Sequence, residues 1–452
     1  MEWITLGLFC AALLACIAFD LSILIALAFG LLLFLLYGLR KGCPLAELLK
    51  TAAGGVWTVR NILITFLLIG ILTAFWRASG TIPVIVYYAS ELIRPSVFLL
   101  MTFLLNCVVS VLTGTSFGTA ATMGVICSAM GLAMGVDIRL IGGAVLSGVF
   151  FGDRCSPVST SALLVAELTG TNIFDNIRRM LRSAFIPFLM TCAVYALLGF
   201  LTGGTAKAPD LRSLFGREFS LQWPALIPAA VILILSAFRI GVKISMTASI
   251  IASVPICLLL QHTPPAELLR MAFTGFHAAD AEVGAMIDGG GILSMLRVAG
   301  IVCLSSSFSG IFRKTGLLDG TVRSVKALAA RTTSFAAMVC TSVLTGMIAC
   351  NQTLTVMLTH QLCGSLVPDR SDLANDLEDS AIVIAPMIPW SIAGAVPLAS
   401  IGAPSASILL AFYLFLIPLW KLILSVRKKR KTVRTMTERP AADPAGCGER
   451  HE

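Results

Sequence analysis

The stretch Thr113-Gly-Thr-Ser-Phe-Gly-Thr-Ala-Ala-Thr-Met-Gly124 follows directly on the apolar run Val97–Leu112. It stands where a lipid-spanning helix is expected, yet it carries Gly and hydroxyl side chains in place of Leu and Val. Inside a bilayer an unsatisfied backbone group is costly, so a polar, helix-breaking segment survives only when buried in protein or lining a water-filled cavity. The same texture returns in Ser147-Gly-Val-Phe-Phe-Gly-Asp-Arg-Cys-Ser-Pro-Val-Ser-Thr-Ser-Ala-Leu-Leu164. Two such segments in one half of the chain predict helices that are interrupted within a membrane bundle.

The composition agrees. Of 452 residues, 57% are hydrophobic and 13% are charged, and mean hydropathy is +0.92. Soluble domains carry about 25% charged residues. There is too little polar surface here for a soluble enzyme, a nucleic-acid binder or a disordered chain. Ile62–Trp76, Ser183–Leu201, Ile292–Phe312 and Ser405–Leu424 are near-continuous apolar runs. Barrel strands alternate apolar and polar residues, so a β-barrel is excluded as well. The N-terminus lacks the basic region of a signal peptide and reads as two spans, Trp3–Phe19 and Leu21–Leu39, hinged at Asp20. The expected fold is an all-α polytopic membrane protein with about 11–13 crossings, some of them half-helices.

Net charge is +9, with Arg427, Lys428, Lys429, Arg430, Lys431 and Arg434 clustered after the last run. The positive-inside rule makes this tail cytoplasmic. None of the 13 Cys forms a CxxC pair, and most lie within apolar runs, so they read as small hydrophobic residues. The four His are scattered. No nucleophile–base set and no ATP-binding motif are present, so the chain does not read as an enzyme. No cofactor is expected, and an ion gradient must supply the energy of any transport.

The two halves echo each other. Arg77-Ala-Ser-Gly80 and Arg313-Lys-Thr-Gly316 each end an apolar run, and Thr115-Ser116 lies the same 236 residues before Asn351-Gln352. An acidic, Pro-containing element follows in each half: Gly152-Asp-Arg-Cys-Ser-Pro157 in the first, Glu378-Asp379-Ser380 with Pro386 and Pro389 in the second. Lys50 and Arg60 precede the span that ends at Gly80, whereas Arg313, Lys314 and Arg323 follow the one that ends at Gly316. Equivalent helices are then expected to point opposite ways, the inverted-topology repeat of many secondary transporters. The expected organisation is N-terminal spans over 1–60, a first transport repeat over 61–201, linking loops and spans over 202–290, a second repeat over 291–426, and a basic tail over 427–452.

Candidate binding residues sit next to the breaks, where hydroxyls and freed carbonyls can replace an ion's hydration shell. They are Thr115, Ser116 and Thr119; Asp153, Ser156, Ser159 and Thr160; Asn351 and Gln352; and Asp379 and Ser391. Asp153 leads this set, because a carboxylate at membrane depth costs about 2.5–3.5 kcal/mol on insertion scales and is usually functional. The alternatives are a neutralising pair with Arg154 or a place at the water interface. An interfacial place is equally open for Glu378 and Asp379. Gly131, Gly135, Gly142 and Gly143 read as packing or turn positions.

These elements resemble the NhaC family of sodium/proton antiporters. Phe75-Trp-Arg-Ala-Ser-Gly-Thr-Ile-Pro83 is similar to the family's W-x-x-S-G-T-I-P segment, and Thr113–Gly124 to its T-G-T-S-W-G-T-A-x-T-x-G. Gly152-Asp153, Ser156-Pro157 and Ser159 match G-D-K-x-S-P-L-S; Leu377-Glu-Asp-Ser380 and Ile388-Pro-Trp390 carry the second half. The resemblance implies a multi-pass protein of a bacterial plasma membrane that exchanges Na⁺ for H⁺. It departs from the family where D-T-T-N reads Thr160, Ser161, Ala162 and Leu163, where G-D-Q reads Cys350, Asn351 and Gln352, and where P-W-N-T reads Pro389, Trp390, Ser391 and Ile392. With those acids gone, Asp153 is expected to be the carboxylate shared by Na⁺ and H⁺. An organic anion or amino acid remains the alternative substrate, with Arg154 as partner for its carboxylate. The expected partners are Na⁺ and H⁺, or that organic solute, and the lipid bilayer; homo-oligomerisation is left open.

Overall fold

Runs of Leu, Ile, Phe and Val become helices because only a helix satisfies its own backbone within lipid. A computed structural model describes residues 2–19, 21–92, 95–157, 159–202, 215–238, 240–315 and 327–437, and the chain is helical through nearly all of them. The first elements are α1 (Glu2–Ala18), α2 (Ile23–Arg40), α3 (Leu45–Thr58), α4 (Arg60–Ala78) and α5 (Thr81–Leu92). Next come α6 (Pro95–Thr113), α7 (Ser116–Ala133, with a π-helical turn over Ala120–Gly124), α8 (Ile138–Cys155), α9 (Thr160–Thr169) and α10 (Ile173–Thr202). The helices α11 (Ile227–Ala237), α12 (Val242–Leu259), α13 (Pro265–Thr274) and α14 (Ala281–Ile287) lead to α15 (Leu296–Thr315). The chain continues with α16 (Ser334–Ala349), α17 (Gln352–Cys363), α18 (Arg370–Asp379), α19 (Ala381–Ile384), α20 (Ile392–Ser400) and α21 (Phe412–Thr437).

Among the described residues, six segments can cross a bilayer by length and composition: α2, α4, α6, α7, α10 and Ile292–Phe312, which enters α15. A bent pair, Arg370–Met387 with Ile392–Ser400, makes a seventh, kinked by 56°. Shorter apolar helices of 10–17 residues accompany them, among them α9, α16 and Lys243–Leu259. The structure is thus a polytopic all-α membrane protein with interrupted helices. Large apolar side chains stay exposed on α2 (Ile25, Leu32, Leu36), α10 (Phe185, Leu189, Phe200) and α12 (Ile244, Ile251, Leu259). Faces of this kind suit lipid, not water.

Two expected boundaries move. The apolar run read from Ser183 lies in a helix that begins ten residues earlier, at Ile173, where the Asn172 side chain accepts from the Phe174 amide at 2.9 Å. The run from Ser405 is not one helix: Ser405–Leu410 forms a 3₁₀ segment and α21 starts at Phe412. The hinge expected at Asp20 falls outside the described residues, as does Gly316. The helix α6 starts at Pro95, whose missing N–H costs nothing at a first helical position.

Packing places the breaks at the centre. The helix α6 packs along α8 and α10. Gly152 permits the α6–α8 approach, since a Cβ there would stand 2.3 Å from the backbone of Ser110 and Val111. Gly143 likewise lies against the Leu410 carbonyl, where a Cβ would come within 2.5 Å. Phe9, Phe34, Phe308 and Phe312 stack edge to face and pin α1 and α2 onto α15.

Candidate functional site

Each half contains the same local device. At the α6–α7 break, Gly114 adopts φ +65° and Thr115 N-caps α7, its hydroxyl accepting from the Gly118 amide. In the second half Cys350 takes φ +57° and Asn351 N-caps α17, accepting from the Leu354 amide at 2.8 Å. The left-handed residue turns the chain and the cap closes the new helix start. The second break repeats too. Ser159 caps α9 and Ser391 caps α20, each preceded two residues earlier by proline, Pro157 and Pro389. The two break loops dock on equivalent carbonyls: Ser156 Oγ donates to Val111 O at 2.7 Å, and Trp390 Nε1 donates to Met347 O at 2.9 Å.

The breaks converge on Asp153. This side chain lies buried in the last turn of α8. Its Oδ2 accepts from Gln352 Nε2 and from Ser161 Oγ, both at 3.0 Å. Its Oδ1 accepts from Ser159 Oγ at 3.3 Å, and the Ser116 backbone also hydrogen-bonds the carboxylate. Ser161 Oγ further reaches Gln352 Oε1 at 3.2 Å. The first turns of α7, α9 and α17 therefore all face one carboxylate, and helix N-termini favour negative charge. The pairing of Asp153 with its neighbour Arg154 does not occur.

Arg154 points the other way, into a second cluster. Its side chain is fully buried and pairs with Asp379, which is equally buried. It also donates to Ser183 Oγ at 2.9 Å and to the Tyr413 hydroxyl at 3.4 Å. The second oxygen of Asp379 accepts from Lys421 Nζ and Asn375 Nδ2, each at 3.1 Å. Lys421 completes the set with Asp376 at 3.0 Å. Arg154, Asp379, Lys421 and Asp376 form a charge-balanced quartet that ties α8, α18 and α21 together, with Ser183 of α10 at its edge. Asp376 and Lys421 also line a cavity of about 720 Å³, with Asp369, Asp372, Ser183 and Ser425 on its wall.

Of the sequence-derived candidates, the structure gathers Ser116, Asp153, Ser159 and Gln352 into one cluster. Thr115, Asn351 and Ser391 lie beside it as helix caps. Thr119 bonds Thr113 at 2.8 Å, and Ser156 holds the break loop on Val111. Thr160 is exposed and turned away from the cluster. Asp379 is buried, but both its oxygens are engaged by the quartet. Two residues outside that candidate set stand out. Ser161, one place beyond Thr160, is the hydroxyl that reaches Asp153. Glu378, for which an interfacial place was equally open, is entirely buried.

The profile of the Na⁺/H⁺ antiporter family matches residues 3–167 and 148–428. The chain belongs to that family. Among its relatives in the family, the malate-2H⁺/Na⁺-lactate antiporter of Bacillus subtilis is 29% identical over 404 residues, covering 86% of each chain. The Na⁺/H⁺ antiporter NhaC of Alkalihalophilus pseudofirmus is 27% identical over 78% of each chain. The arginine/ornithine antiporter ArcD of Halobacterium salinarum is 27% identical, over 76% of this chain and 73% of its own. The similar proteins thus include ones whose names state a metal-ion exchange and ones whose names state organic solutes. The chain is accordingly a multi-pass membrane transporter.

Proposed function

We propose that this transporter exchanges Na⁺ for H⁺ with Asp153 as the carboxylate that both occupy in turn. The observation that carries this reading is the convergence of three interrupted helices on one buried acid. Hard cations take oxygen ligands. Around Asp153 stand its own two oxygens, the Ser159 and Ser161 hydroxyls and the Gln352 side-chain oxygen. A half-turn of the Gln352 amide directs its carbonyl toward the space now faced by its nitrogen. When no cation is bound, a proton neutralises the carboxylate, and the two ligands compete for one position. Arg154 is held by Asp379, Ser183 and Tyr413, which weighs against its service as partner to an organic acid.

Alternating access then rests on residues 61–201 and 291–426 as two transport repeats, related by an axis in the membrane plane. The repeated cap geometry at Thr115 and Asn351 supports the duplication. The charge flanks support the inversion and a cytoplasmic C-terminus.

The test is reconstitution into liposomes under an imposed pH gradient, with Na⁺, Li⁺, K⁺ or small organic acids added outside. The expected result is collapse of the gradient on Na⁺ addition in the wild type and its loss in Asp153→Asn. A wild type that ignores Na⁺ but dissipates the gradient with a dicarboxylate refutes the proposal and favours organic-anion exchange.

A further inference from the structure

Glu378 lies in the last turn of α18 with none of its side chain exposed, and neither carboxyl oxygen has a hydrogen-bond partner among the described residues. The charged groups that act on it electrostatically are Arg154, Asp153 and Asp379. Arg154 and Asp379 are closed on each other, and Lys421 of α21 is shared between Asp376 and Asp379. Tyr413 of α21 is occupied by Arg154. On the other helices packed against α18, charges point elsewhere. Arg179 of α10 pairs with Asp372 at the surface, while Glu167 of α9 and His360 of α17 line a separate cavity with Arg370.

The charge balance is decisive. Asp153, Asp376, Glu378 and Asp379 are four acids, whereas Arg154 and Lys421 are two bases. The quartet uses both bases, so Asp153 and Glu378 remain without a countercharge. Asp153 is surrounded by donors suited to an anion or, turned, to its bound cation. Glu378 has no donor at all. Arg154 Nε, the unpaired donor of its nearest base, makes no hydrogen bond either. A carboxylate isolated in this way neutralises itself by holding a proton.

We propose that Glu378 is a second proton-binding site, separate from Asp153, which carries a proton across with each cycle. Its charged neighbours belong both to the cation site, through Asp153, and to the quartet, through Arg154 and Asp379, and Asp376 and Lys421 of the quartet line the 720 Å³ cavity. In the forward step a proton leaves Glu378 for water on one side of the membrane and the carboxylate is left behind. In the return step the carboxylate takes a proton from the opposite side. The inference rests on the exchange proposed above, and its consequence is a ratio of protons to Na⁺ above one.

The ratio is measured in liposomes by following proton flux and labelled Na⁺ flux together. In Glu378→Gln the protons moved per Na⁺ are expected to fall by about half, a change that mere loss of active protein does not produce. An unchanged ratio overturns the proposal. Should Glu378→Gln fail to fold, the infrared carbonyl band of a protonated carboxyl group decides. It is expected in wild type at neutral pH and displaced in Glu378→Asp, and identical spectra overturn the assignment. Should the wild type move no Na⁺, the exchange reading fails, while the same band still reports whether Glu378 holds a proton.

Discussion

Replacing Asp379 by Asn removes the countercharge of a guanidinium that has no access to water. Arg154 would keep Ser183, Tyr413 and the Met180 carbonyl as partners, all neutral. Lys421 would keep Asp376, so one positive charge is left over beside the breaks. Removing one member of a buried pair costs about 3–5 kcal/mol in soluble proteins. A membrane protein unfolded in lipid or detergent finds other partners for its polar groups, which places the cost here near the lower end, about 3 kcal/mol. Arg154→Met with Asp379→Leu removes both charges and leaves Lys421 balanced by Asp376. This double variant is expected within about 1 kcal/mol of wild type, since an apolar pair of similar volume replaces a buried ion pair at little cost. The assay is a double-mutant cycle on unfolding free energy in mixed micelles. A single variant that loses less than about 1 kcal/mol, or a double variant that loses the sum of the singles, refutes the assigned pairing.

Gly152→Ala is expected to lower stability by about 1–3 kcal/mol through overpacking of α6 on α8, measured by the same unfolding assay. Ser161→Ala is expected to weaken Na⁺ half-saturation severalfold while Thr160→Ala leaves it unchanged, because only the former touches Asp153. Asp137 caps α8 in the turn after α7, and its hydrogen bonds to Arg139 hold its carboxyl below the ordinary value of 3.8. Its contribution is present above that value and is lost as pH falls through the lowered one; Asp137→Ala therefore destabilises at neutral pH, by at most about 1 kcal/mol, and the difference from wild type vanishes in strong acid. A reporter fused after Lys431 is expected to register the cytoplasm, and an external signal there reverses the assigned orientation.

The fold class was legible because lipid-facing helices need uniform apolar runs, and the breaks were legible because Gly, Ser and Thr cannot be lipid-facing at such density. Asp153, Ser159 and Gln352 were found for that reason: they stand immediately beside breakers. The distinction between Thr160 and Ser161 was hidden, because one step along a helix turns a side chain by about 100°, and the direction of the first step depends on the cap. Glu378 was hidden differently. The segment Arg370–Asp379 is among the most polar in the chain, so an interfacial place stays as open for Glu378 as a buried one. Its burial is secured by Arg154 and Lys421, which lie 225 and 42 residues from Asp379. No local pattern reports such a partnership.

The balanced quartet also fixes what the membrane potential can act on. A voltage does work only on net charge carried through its field, about 2.3 kcal/mol per elementary charge for each 100 mV. Arg154, Asp379, Lys421 and Asp376 sum to zero, so a rearrangement that moves them as one body is electrically silent. Under the exchange proposed above, the charge that this region moves through the field then falls to Asp153 and Glu378, and is set by what each has bound when the protein turns over.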